Sequence, residues 1–141
     1  MVTVDERNTK EKNTQETAIS AIIKRLKNYN NVPFIEQLPF IVDFILDNKF
    51  KKYIQKIYLF GSYAYGEPNK LSDIDLCVII DDSITAYRRE VYFNIEKNFC
   101  NKKMVPNDLL IYNASIFEQF KNSRGIENVI NKYGELIYVR D

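Results

Sequence analysis

Residues 59–76 read LFGSYAYGEPNKLSDIDL, an apolar run that ends in a Gly-Ser pair and is followed by two aspartates flanking one isoleucine. The segment DIDLCVII, 73–80, is the strongest strand signal in the chain. Strand side chains alternate between faces, so Asp73 and Asp75 are expected on one face, with Ile74 and Leu76 on the other. Neighbouring carboxylates repel, and taking them out of water costs more still, so the pair calls for a cation. No histidine occurs in the sequence, and Cys77 and Cys100 are the only cysteines. The ligands are therefore oxygens, a donor set suited to Mg²⁺ or Mn²⁺ with substrate phosphates completing the shell. Gly61 permits a tight turn and close approach of a ligand. Ser62 then opens a short helix, whose first amides and dipole favour phosphate. An anion site beside a dication site reads as a metal–nucleotide site.

A third carboxylate would complete a two-metal centre for in-line displacement at phosphorus. Asp108 opens the strand DLLIY, and a neighbouring strand would bring it alongside Asp75. Asp81 and Asp82 compete for the role, but they follow the strand and read as a solvated turn.

Composition narrows the remaining classes. The 141 residues suit one domain, and a hydrophobic content of 45% is enough for a core. Lys and Arg number 20 against 19 Asp and Glu, a net charge of +1 that does not indicate direct nucleic-acid binding. The missing histidine excludes imidazole bases and histidine-bound zinc, and two cysteines make neither a disulfide scaffold nor a four-ligand zinc site. The polar N-terminus has no signal-peptide core and the apolar runs are too short to span a bilayer, so the expectation is a cytoplasmic protein without a membrane partner.

Along the chain, 1–14 reads as a flexible tail and 15–54 as an N-terminal helical extension. One helix carries Ile19, Ile22, Ile23 and Leu26 on a face; a second, starting near Pro39, carries Leu38, Ile41, Val42, Ile45 and Leu46. Such a pair resembles half of a DNA-reading helix-turn-helix, but Pro, Phe and Ile open the second helix where base-reading polar residues belong, so packing on a sheet is expected. Self-association as a homodimer is the other role open to it. Residues 55–141 then alternate strand and helix: strands at 56–60, 73–80, 107–113 and 135–139, and helices from Ser62 toward Tyr65, over 85–99, after Ser115 as an N-cap with Glu118 in a capping box, and over 125–133. The fold class is α/β (α+β), a small mixed sheet with helices packed on it.

GSYAYGEPNKLSDIDL, 61–76, resembles the signature of the DNA polymerase β-like nucleotidyltransferase superfamily: a Gly-Ser pair followed by Asp-x-Asp on a strand. The short chain is similar to that superfamily's minimal nucleotidyltransferases, and PNDLLIYNASIFEQF and GELIYV are similar to their third-aspartate and closing strands. The resemblance spans roughly 56–139. It implies transfer of a nucleoside monophosphate from an NTP, ATP as the expected donor, to an acceptor hydroxyl with release of pyrophosphate. It further implies that Gly61 and Ser62 hold the triphosphate, that Asp73 and Asp75 bind two Mg²⁺ ions, and that Asp108 binds the catalytic metal and helps deprotonate the acceptor. Many relatives carry arginine before the glycine that ends the helix turn; here Tyr65 precedes Gly66.

Three roles fit that resemblance. One is an antitoxin that adds AMP to a tyrosine of a HEPN-type toxin, which the small size favours. Another is a small-molecule enzyme of the aminoglycoside nucleotidyltransferase type, which needs a further helical domain that 141 residues hardly accommodate. The third is a catalytically weak binding module. Tyr63 and Tyr65 read as core packing or as an acceptor-facing surface.

Overall fold

The computed structural model describes residues 18–104, 106 and 108–141, so the expected tail at 1–14 lies outside the described residues. A helix described over 18–26 (α1) is followed by a 3-10 turn, Leu38–Phe40, that contains Pro39 and leads into α2, Ile41–Leu46. A second 3-10 turn, Lys51–Tyr53, feeds strand β1, Ile54–Phe60. Next come α3 (Ser62–Tyr65), β2 (Asp75–Ile80), α4 (Arg88–Asn101) and β3 (Asp108–Asn113). The described chain closes with α5 (Ala114–Phe120), α6 (Ile126–Tyr133) and β4 (Glu135–Val139).

The sheet runs β3-β2-β1-β4. β1 is antiparallel to both β2 and β4, whereas β2 and β3 are parallel, with α4 as their crossover. A central strand covered on both faces needs apolar side chains on both, and after Asp75 every residue of β2 is buried. On one face, Ile57, Leu59, Leu76 and Val78 pack with Ile22 and Leu26 of α1, Ile41 and Ile45 of α2, and Val91, Ile95 and Phe99 of α4. On the other, Tyr58, Phe60, Cys77 and Ile79 pack with Phe117 of α5 and Ile130 of α6. The N-terminal helices are thus sheet-packing elements, as their apolar faces predict.

Three local expectations are corrected. β2 starts at Asp75, not Asp73, because both neighbours stop there: β1 reaches Asp75 with Phe60 and then turns away at Gly61, and β3 begins opposite it at Asp108. The helix read from Thr85 starts at Arg88, since Tyr87 is an extended N-cap residue (ψ 149°) that is 73% exposed. Ser115 lies within α5 rather than capping it. The N-cap is Asn113, without a side-chain cap bond, and the Ser115 amide and hydroxyl donate to Asp82 Oδ1 at 3.2 and 3.1 Å. Asp82 supplies from another loop the anion that a helix start favours. Glu118 instead pairs with Lys121 at 2.6 Å.

Candidate active site

The C-terminal end of β1 and the N-terminal ends of β2 and β3 share one edge of the sheet. Phe60 is opposite Asp75, and Asp75 is opposite Asp108. Neighbouring strands lie roughly 4.8 Å apart, so the last two carboxylates belong to adjacent positions. Asp108 is exposed and Asp75 half-buried. Asp73, expected beside Asp75 on the strand, stands in the preceding loop and is exposed, while Ile74 is fully buried. The in–out alternation therefore continues beyond the hydrogen-bonded ladder.

Gly61 makes this edge compact. Its backbone has φ +74°, in the region that favours glycine, and a β-carbon there would lie 2.0 Å from Asp75 Oδ2. The carboxylate thus rests against the backbone of the turn that carries Ser62. α3 follows at once, its amides at Ala64 and Tyr65 donating to the Gly61 carbonyl at 3.0 and 3.1 Å. Asp73 is approached through an ordered turn: the Asn69 amide donates to Ser72 Oγ (2.9 Å), and the Leu71 amide to Asn69 Oδ1 (2.8 Å).

Of the two tyrosines in the turn, Tyr63 is core. It is fully buried beside Phe34 (ring centroids 6.2 Å apart), and burial, then the Asp73 charge, push its hydroxyl up to about 12. Tyr65 is 47% exposed, its ring 6.1 Å from that of Tyr133. Cys77 is buried and its thiol is pushed up by desolvation, which leaves it inert as a nucleophile.

Among the described residues, no group of three or more Asp, Glu, Cys or His side chains is gathered so as to hold a metal ion. Asp75 and Asp108 are nevertheless in register, with Asp73 on the approach, and all three offer the hard oxygen donors a dication takes. Neither Asp73 nor Asp108 makes an ion pair among the described residues. Asp81 and Asp82 sit at the opposite end of β2, where the protein itself answers them: Arg140 pairs with Asp81 at 3.1 Å, and Ser83 donates its amide to Asp81 at 2.9 Å. This is the solvated turn the sequence predicts.

One residue at the site has no counterpart in the sequence reading. Arg25 of α1 donates from Nη1 to the Gly66 carbonyl at 2.9 Å, and from Nη2 to the carbonyls of Tyr63 and Ala64 at 2.5 and 3.0 Å. It grips the far end of α3 from a distant segment. The signal that could have found it is a one-turn helix with no cation of its own, Tyr65 standing at its last position, beside a helix with an arginine next to its apolar stripe.

Residues 45–141 match the family described as "Polymerase beta, Nucleotidyltransferase". No curated protein matches the chain. Among solved structures, it is similar to a protein of Sulfolobus solfataricus assigned as a nucleotidyltransferase, with 16% identity, a TM-score of 0.48, and 90% of this chain and 88% of that one covered. It is also similar to a mutant of the toxin–antitoxin pair MntA–HpeT, at 19% identity and a TM-score of 0.47 over 73% of each chain.

Proposed function

The chain belongs to the polymerase β nucleotidyltransferase family, and from that premise we propose that it transfers AMP from ATP to an acceptor hydroxyl, releasing pyrophosphate. The observation that carries the reading is the close fit of Gly61 against Asp75, with Asp108 in register on the next strand. In this reading Gly61 and Ser62 hold the triphosphate, Asp73 and Asp75 bind both metals, and Asp108 binds the catalytic one. Mg²⁺, with Mn²⁺ as a substitute, supplies positive charge against the phosphates when bound. The acceptor oxygen attacks the α-phosphorus. A new P–O bond forms there, the bond to the bridging oxygen breaks, and pyrophosphate leaves with that electron pair. The acceptor's proton passes to the Asp108 carboxylate.

In this proposal 55–141 is the catalytic domain and 15–54 its extension, working in the cytoplasm; among the described residues, no helix is long and apolar enough to cross a membrane. The acceptor is a protein hydroxyl, with a tyrosine of a HEPN-type toxin as the specific candidate. The test is thermal stabilisation by Mg·ATP, against EDTA and against the Asp73→Asn, Asp75→Asn double variant. A metal-dependent shift that the double variant loses supports the site. No shift in the folded wild type leaves a binding module in its place.

A further inference from the structure

We propose that Arg25 is a positioning residue for the nucleotide-binding turn, so that the segment ahead of the family-matched region forms part of the working site. The inference rests on the reading of Gly61–Ser62 given above. α3 has four residues, a single turn that is not stable on its own. The carbonyls of a last helical turn have no partner within the helix, and the run from Gly61 to Gly66 contains no cation to meet them. Arg25 meets three of them, at Tyr63, Ala64 and Gly66, with one guanidinium. A planar fork of donors suits several carbonyls at once, and positive charge at a helix C-terminus complements its dipole. Phe34, from the same N-terminal segment, packs against Tyr63 in the middle of the turn.

What the grip controls is the other end of α3. The Gly61 carbonyl accepts from the Ala64 and Tyr65 amides, and the Gly61 backbone lies against the Asp75 carboxylate. With so little clearance, a tilt of α3 moves Ser62 and the Gly61 peptide relative to Asp75. Arg25 therefore acts on the substrate through α3 and touches none of it. Both Arg25 and Phe34 precede residue 45, where the family match begins.

The experiment uses the full chain and compares wild type with Arg25→Ala, Arg25→Gln and Arg25→Lys. It measures the Mg·ATP dissociation constant by calorimetry, amide hydrogen exchange over 62–66, and the melting temperature. The expected result for Arg25→Ala is Mg·ATP binding weakened by about tenfold or more. Exchange over 62–66 should quicken while β1 and β2 stay protected, with millimolar guanidinium restoring affinity and Arg25→Lys falling in between. If Arg25→Ala does not fold, the lysine and glutamine variants carry the same comparison. A lower melting temperature with unchanged affinity in the folded protein overturns the inference and leaves the nucleotide site standing. Failure of wild type to bind Mg·ATP removes the nucleotide site, and the inference with it.

Discussion

The two ends of β2 are both acidic, yet the fold treats them differently. At its C-terminal end, Asp81 and Asp82 are occupied with the protein: Arg140 and the Ser83 amide meet the first, and Ser115 donates twice to the second. At its N-terminal end, Asp73 and Asp108 face solvent, and Asp75 is pressed against a glycine. One end uses its charge to hold loops to the sheet, while the other leaves Asp73 and Asp108 open to solvent. Carboxylates with assigned internal partners are architectural; exposed ones such as Asp73 and Asp108 are where a bound cation gains most.

The sharpest way to break this comparison is to neutralise each end in turn. Asp75→Asn is expected to lower nucleotidyl transfer by at least about a thousandfold, with Asp108→Asn close behind, read as initial rates at fixed Mg·ATP. Gly61→Ala tests the fit itself. Its β-carbon would overlap Asp75 Oδ2, so a loss of roughly a hundredfold in rate is expected from displacement of the turn, with the overall circular dichroism retained. Mg·ATP at a hundredfold excess over its dissociation constant should stabilise the wild type by about 2.7 kcal/mol, and EDTA should abolish the effect. At the other end, Asp82→Ala should lower the melting temperature by a few degrees and leave transfer intact.

The smallest effect is expected at Asp81, and it shows only in acid. The Ser83 amide, then the Ser83 hydroxyl and Arg140, lower its carboxyl to about 2 in the folded state. A lowered folded value means that the carboxylate stabilises above the unfolded value and that this contribution fades as pH falls toward 2. Asp81→Asn should therefore flatten the wild type's loss of melting temperature between about pH 4 and pH 2, while leaving transfer at neutral pH unchanged. Loss of transfer in Asp81→Asn would erase the distinction between the two ends.

How much of this was legible follows sequence distance. The motif at 59–76 announced the turn, the buried strand and the acidic edge, because each depends on residues a few positions apart. The parallel partner of β2 was also readable, since a strand opening on Asp108 after a helical crossover has one natural neighbour. The start of β2 was misplaced because ladder ends are decided by partners, and the alternation of Asp73 and Ile74 continues where those partners have gone. The capping box at Ser115 failed for a similar reason: Asp82, from another loop, offered a better acceptor than the local pattern did. Arg25 leaves only an indirect trace in the sequence, a one-turn helix with no cation of its own. Its partners lie about forty positions along the chain, and no local period registers a guanidinium that serves another element's carbonyls.

The order of strands has a consequence for synthesis. β1 lies between β2 and β4, and its register with β4 joins Lys56 to Val139. During translation the Gly61 turn and Asp73, Asp75 and Asp108 emerge well before β4. Until then one edge of β1 presents open backbone donors and acceptors, the kind of surface that recruits other strands. Closing that edge draws together positions separated by most of the chain, a slow contact to form. The nascent protein is thus most exposed to mispairing in the interval between completion of its acidic edge and arrival of its last strand.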